Sequence, residues 1–217
     1  MSNINQAHSP LRPIRLHWNP VSGHAHRVEL FLSLLGLPVE KRTVDFLKGE
    51  HKSPAFLALN PFGQVPVIED GELVLADSNA ILTYLALTCD AGGSWLPRDA
   101  IGAARVQRWL SVAAGPLAYG PAAARVCVLF GRPLDQAQRD AAARLFVVME
   151  KHLATNAFLA SAHPTIADIA MYSYTAHAPE GGVSLAPYPQ LRAWLARIEA
   201  LPGFVGLVRS PVPEATA

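Results

Sequence analysis

The stretch NPFGQVPVIEDGELVLADSNAILTYLA, residues 60–86, decides the fold. Asn60-Pro61-Phe62-Gly63 is a turn cluster. Two β-rich runs follow between Val65 and Leu75, flanking Asp70-Gly71, a dipeptide that reaches the backbone angles of a tight turn at little cost and so marks a hairpin. Asp77-Ser78 places two capping residue types ahead of an apolar run to about Leu87, which reads as a helix.

Upstream, Ile14 to Trp18 reads as a strand and NPVSGH as a turn. A helix over about 24–35 follows, with Val28, Phe31, Leu32 and Leu35 on one face. Gly36 stands where a helix C-terminal glycine belongs, and Pro38 stops continuation. Val39 to Asp45 is a second strand, and Ser53-Pro54 opens a short helix to Leu59. The order is βαβαββα: a mixed sheet whose first two strands pair in parallel across a helix.

Downstream the pattern changes. Gly92-Gly93-Ser94 and Pro97 mark a linker, beyond which the chain reads as helices only. Stripes at helical spacing run through Val106, Trp109, Leu110 and Ala113, through Ala142, Leu145, Phe146, Met149 and Leu153, and through Leu191, Trp194, Leu195 and Ile198. Residues 166–174 are apolar nearly all round, as in a buried helix. The fold class is α/β plus all-α: a polar tail at 1–13, an α/β unit at 14–88, a linker at 89–97, an all-helical unit at 98–209 and a C-terminal tail at 210–217.

The 217 residues are 51% hydrophobic and 16% charged, which excludes an intrinsically disordered chain. The net charge of +1, without basic runs, gives no footprint for nucleic acid or an anionic membrane. The longest charge-free stretch, 109–124, is interrupted by Gly115-Pro116 and Gly120-Pro121, short of the about 20 apolar residues of a membrane span. High apolarity without a span points to a large helical core or a buried oligomer interface. Cys89 and Cys127 form no metal or redox spacing and read as small buried hydrophobes. With no signal sequence in residues 1–13, a cytoplasmic location is expected.

Three places could carry chemistry. Gln64-Val65-Pro66 precedes the hairpin, as an edge-strand start or as a cis-proline turn; the latter leaves the Val65 N–H and C=O free to pair with an extended peptide. Asp77-Ser78 at a helix N-terminus is a plain cap, or a site where free N–H groups take a carboxylate while Asp77 takes an ammonium; a γ-glutamyl end carries both on one carbon. Ser22, in the turn before the first helix, is an N-cap, or a hydroxyl that with nearby N–H groups favours a thiolate. No Ser-His-Asp signature or GxSxG elbow is present. His17, His24, His26 and His51 lack an acidic partner at ligand spacing, so no metal is expected. Thr165 to Asp168 reads as a structural capping box.

In this order the pieces resemble the cytosolic glutathione transferase family, over roughly 14–209. Residues 60–86 look like its glutathione-binding segment, and PTIADIAMYSY (164–174) resembles the start of its buried helix. The resemblance, to bacterial serine-type members of theta, zeta or nu kind, implies a thioredoxin-like N-terminal domain, an all-helical C-terminal domain and a homodimer. It implies glutathione as co-substrate, held by Gln64, Val65, Pro66, Asp77 and Ser78, with His51 and Lys52 near the glycyl carboxylate. It implies Ser22 as thiolate holder, with Asn19 and His24 as competitors, and a small hydrophobic electrophile near Tyr119. No tyrosine or cysteine ends the first strand, and the zeta-like cysteine is missing at His24-Ala25, which sets the chain apart from the tyrosine-dependent classes, mixed-disulfide enzymes and maleylacetoacetate isomerase. The expected activity is attack of a glutathione thiolate on an electrophile. The alternatives are a glutathione-dependent peroxidase or disulfide reductase on the same site, and a non-catalytic interaction module.

Overall fold

The computed structural model describes residues 13–133 and 135–213; of the two expected tails, 1–12 and 214–217 lie outside the described residues. The first half contains β1 (Ile14–Trp18), α1 (Gly23–Leu34), β2 (Val39–Thr43), α2 (Pro54–Leu59), β3 (Val67–Asp70), β4 (Leu73–Ala76) and α3 (Ser78–Cys89). The sheet order is β2-β1-β3-β4. β1 and β2 are parallel across α1, β3 runs antiparallel to β1, and β4 completes the hairpin. This is a thioredoxin-like sheet.

Local chemistry fixes the boundaries. Ser22 caps α1, accepting from the Ala25 N–H. Gly36 ends α1 at φ 65°, with the Gly36 and Leu37 N–H groups turned back to the Ser33 and Leu32 carbonyls, a Schellman arrangement. β2 stops at Thr43, short of the expected Asp45, because the Asp45 carboxylate takes the Leu47 and Lys48 N–H groups and turns the chain. In β3, neighbouring residues enter different cores. Ile68 joins the main one with Ile14, Leu16 and Phe31, while Val67 joins a small one with Ala25, Val44, Phe56 and Val65. The small core fastens the 60–66 turn to α2.

The second half contains α4 (Ala100–Ala114), α5 (Ala123–Leu129), α6 (Gln136–Leu153), α7 (Ile166–Ala176) and α8 (Pro189–Glu199). α7, buried from Ile166 to Thr175, packs on both α1 and α4, so the two halves share one core. Gly23 permits the closest approach: a Cβ there would lie 2.7 Å from the Tyr174 ring.

The reading of residues 109–124 needs correction. Gly115, at φ −105° and ψ −100°, does end α4, but the second Gly-Pro pair does not interrupt the helical path. A π-helical turn at Ala118–Ala122, with Pro121 inside it, joins α4 to α5, so that Ala100–Leu129 is one stretch long and apolar enough by composition to cross a membrane. The wider turn accommodates a residue that lacks an N–H and whose ring crowds the preceding carbonyl. Val106, Trp109, Leu110, Ala113, Leu117 and Ala124 from this stretch are buried in the shared core, the environment of a core helix.

Candidate active site

A cleft of about 480 Å³ opens where the sheet half meets α5. Its sheet side carries Ser22 and His24 from the start of α1, His51 and Phe46 from the loop after β2, Gly63 to Pro66, and Asp77-Ser78. The facing wall is Val126, Phe130 and Arg132. Among the described residues no group of three or more His, Cys, Asp or Glu side chains is placed to hold a metal.

The 60–66 turn is built from its own side chains. Asn60 is buried, donates to the Gln64 carbonyl and accepts from the Phe62 N–H. The Val65–Pro66 peptide is cis. Gly63, at φ 63°, packs so tightly on the His51 carbonyl that a Cβ would stand 2.8 Å from it. This contact brings the His51 loop and the Gln64-Val65 turn to one rim. The Val65 N–H and C=O enter none of the turn and loop hydrogen bonds among the described residues.

Asp77 has a φ of 71°, a conformation that most side chains avoid; its carboxylate offsets the strain by accepting the Asn79 and Ala80 N–H groups at the start of α3. Ser78 is buried. Its Oγ accepts from the Arg27 guanidinium at 3.2 Å and lies 3.3 Å from His24 Nδ1. Arg27 is sealed beneath the site, also donating to Asn79 Oδ1 at 2.9 Å, while its Nε and Nη2 have no hydrogen-bond partner. Burial brings its pKa down to about 10, against the opposing pull of Tyr174 and Asp77. Burial, helped by Arg27, also lowers His24 to about 3, so this ring is neutral at physiological pH and stacks edge-on against Tyr174.

Ser22 lines the cleft with its Oγ as the cap of α1, at 3.2 Å from the Ala25 nitrogen. Accepting that bond leaves the hydroxyl proton free to donate. Asn19, a competitor by sequence, is committed elsewhere: its amide donates to the Val44 carbonyl and accepts from the Val21 N–H. His24 shares the cleft with Ser22, but its Nδ1 faces Ser78.

Two expected site residues fall outside the cleft. Lys52 is exposed and absent from the lining, whereas its neighbour His51 is present. Tyr119 belongs to the π turn, is 75% exposed and does not line the cleft; the wall facing Ser22 is formed further along, by Val126 on α5, by Phe130 at the C-cap of α5 and by Arg132. That wall was not legible in the sequence, because the extra residue of a π turn rotates everything after it relative to an ordinary α-helix. Arg27 and Arg125 belong to no motif that marks them as part of the site. A single charge inside an apolar helical run, as in AAARVCV (122–128), was the available signal.

Known proteins resemble the chain over most of its length. The family model "Glutathione S-transferase, N-terminal domain" matches residues 13–87 and "Glutathione S-transferase, C-terminal domain" matches 114–202. The chain is 35% identical to glutathione S-transferase 3 of Zea mays over 94% of this chain and 97% of that one. It is 33% identical to human glutathione S-transferase theta-2 over 88% and 82%. Among solved structures, a possible glutathione S-transferase from Rhodopseudomonas palustris superposes with a TM-score of 0.83 at 34% identity, covering 92% of this chain and 100% of that one. A glutathione transferase homologue from Drosophila mojavensis, solved with bound glutathione, gives a TM-score of 0.80 at 29% identity over 88% and 89%.

Proposed function

Because the chain belongs to the glutathione S-transferase family, we propose that it binds glutathione along the sheet side of the cleft and that Ser22 holds its sulfur as a thiolate for attack on a small apolar electrophile. One observation carries the reading: the Ser22 hydroxyl, at the N-terminus of α1, lines the same cleft as Val65, Asp77 and Ser78. Val65 pairs with the cysteinyl backbone. Ser78 and the α3 N-terminus take the γ-glutamyl carboxylate, Asp77 takes its ammonium, and Gln64 and His51 lie toward the glycyl end. Pro66 shapes the turn.

A free thiol has a pKa of about 8.5, so little is ionised at neutral pH. Lowering it by two units requires about 2.7 kcal/mol of thiolate stabilisation. A hydrogen bond to a charged group supplies about 1.5–3 kcal/mol and a helix N-terminus about 0.3–1 kcal/mol. The Ser22 hydroxyl at the start of α1 offers both. The thiolate sulfur then forms a bond to the electrophilic carbon, and the displaced electron pair leaves with a leaving group or is protonated after addition. Val126 and Phe130 form the apolar wall for that partner. Neither Cys89 nor Cys127 lines the cleft, so no protein thiol stands ready to form a mixed disulfide, which favours transfer over disulfide reduction. The exposed apolar side chains Phe62, Ile101 and Val148 are surface that a second copy would cover in a homodimer, and the two unpaired cysteines suit a reducing cytoplasm.

The test is Ser22→Ala. Ultraviolet absorbance of bound thiolate against pH should show the pKa raised by about one to two units, with glutathione affinity within a few fold. At neutral pH the rate should fall about 10- to 100-fold. A titration that overlays the wild type leaves Ser22 as a helix cap only.

A further inference from the structure

Arg125 sits on α5 in the helical half and is 1% exposed. Its Nε donates to Glu180 Oε2 at 2.6 Å, and its Nη1 donates to the Val21 carbonyl at 2.8 Å. Glu180 is buried too, held on its other oxygen by His177 Nδ1 at 2.5 Å. The His177 and Arg125 contacts keep the Glu180 carboxyl below its ordinary pKa despite burial, so it is held as the carboxylate. Gly181 lets the two segments close: a Cβ there would stand 2.6 Å from the Arg125 nitrogen.

Val21 immediately precedes Ser22, so the contacted carbonyl belongs to the Val21–Ser22 peptide. The opposite edge of that peptide is also fixed, since the Ser22 N–H donates to the Asn19 carbonyl at 3.0 Å. Asn19 is itself tied to Val44 at the sheet. With both edges of the peptide plane held, the direction in which Ser22 projects its side chain is set from two sides, one in each half of the molecule. Placement of a reacting group matters steeply: about 1 Å of error costs up to about 100-fold.

We propose that Arg125, braced by Glu180 and His177, is a positioning residue that aims the Ser22 hydroxyl at the glutathione sulfur; the proposal rests on the Ser22 reading above. Arg125 touches no substrate. It acts through the Val21 carbonyl, and couples the thiolate site to the same helix that forms the electrophile wall.

The experiment measures bound-thiol pKa, kcat, both KM values and melting temperature in four proteins: wild type, Ser22→Ala, Arg125→Lys and the double variant Arg125→Met/Glu180→Leu. Lysine keeps a charge beside Glu180 but lacks the planar fork that reaches two acceptors at once. The double variant removes both buried charges together, so no charge is left unpaired, and the neutral His177 and Val21 groups lose a partner. In Arg125→Lys and the double variant the thiol pKa should rise by about half to one unit and kcat fall about 3- to 10-fold at neutral pH, with both KM values nearly unchanged. The double variant should show this while keeping a cooperative unfolding transition. If Ser22→Ala shifts the thiol pKa but the double variant does not, the clamp is overturned and the Ser22 reading stands. If Ser22→Ala shifts nothing, the hydroxyl has no thiolate to meet and both fall. A kcat loss in Arg125→Lys that the double variant lacks is a charge-burial effect and also overturns the clamp.

Discussion

Ser78→Ala separates ligand binding from structural support. The Ser78 hydroxyl has one proton and already has two neighbours, Arg27 donating to it and His24 Nδ1 at 3.3 Å. With His24 as the Nε2–H tautomer, the Ser78 proton goes to His24 Nδ1. A carboxylate bound at the α3 N-terminus, as proposed, would compete for that proton. Binding therefore exchanges one hydrogen bond for a charge-assisted one. The net loss on mutation lies at the lower end of the about 1.5–3 kcal/mol range for bonds to charged groups, nearer a 10-fold than a 150-fold rise in Kd. Removing the hydroxyl also takes a partner from buried Arg27, which keeps only Asn79. That costs about 1–3 kcal/mol of stability, or roughly 2–12 °C in melting temperature for a chain of this size. Calorimetric titration with glutathione and thermal unfolding read the two effects independently, and Ser78→Thr should restore much of both. If the melting temperature falls while Kd stays put, Ser78 serves Arg27 alone and the γ-glutamyl assignment is wrong.

Asp168→Ala should be far more damaging than loss of a cap, because its carboxylate accepts from the Leu159 and Thr165 N–H groups, Thr165 Oγ1 and Trp194 Nε1, all buried. A loss of about 3–6 kcal/mol, against about 0.5–2 for a cap, should appear in denaturant unfolding with glutathione affinity of the folded protein unchanged; a loss within the cap range would refute the four-bond account. His24 at about 3 and His26 at about 4, both lowered chiefly by burial, are neutral in the fold, and burial lowers His177 as well. Below about pH 6.5 the unfolded chain takes up protons that the folded chain does not, so stability is full above that pH and falls as pH drops toward 5, the slope approaching about 1.4 kcal/mol per unit for each of His24 and His26; a melting temperature flat across that window would contradict it. Arg132→Gln should lower kcat/KM for a carboxylate-bearing electrophile about 1.5- to 5-fold relative to its neutral analogue, the range for an exposed ion pair, without changing the KM for glutathione; an equal effect on both electrophiles would remove charge from the argument.

The first half of the fold was legible because its signals are local. Asp70-Gly71, Gly36, Ser53-Pro54 and Asp77-Ser78 each act within a few residues, and the structure places a turn, a helix end or a cap at each. The sheet side of the site shared that legibility, since Gln64, Val65, Pro66, Asp77 and Ser78 sit on those same turns and caps. What escaped depends on distance. Arg27 and Arg125 look like ordinary solvated cations until Ser78, Glu180 and Val21 arrive from 51, 55 and 104 positions away. Tyr119 was misplaced because the turn that displaces it has no short sequence signature: Gly-Pro pairs ordinarily break helices, and here one is carried inside a π turn.

The two wall residues and the clamp lie within six positions of one another, and their spacing explains how one helix serves both. Val126 and Phe130 are four apart, so both face the cleft along the edge of α5. Arg125 is one residue earlier, about 100° round the helix, and turns inward to Val21 and Glu180. The side chains proposed to meet the electrophile are therefore rotated away from the one proposed to orient Ser22. Residues 126, 130 and 132 can change in size or charge without disturbing the peptide plane before Ser22, whereas the contacts proposed for glutathione, apart from Ser22, lie between residues 51 and 78. Such an arrangement would let the proposed second substrate vary while the proposed thiolate contact stays fixed. It also requires the helical half to be docked on the sheet before Ser22 is fully oriented, since one of the two anchors on its peptide comes from α5.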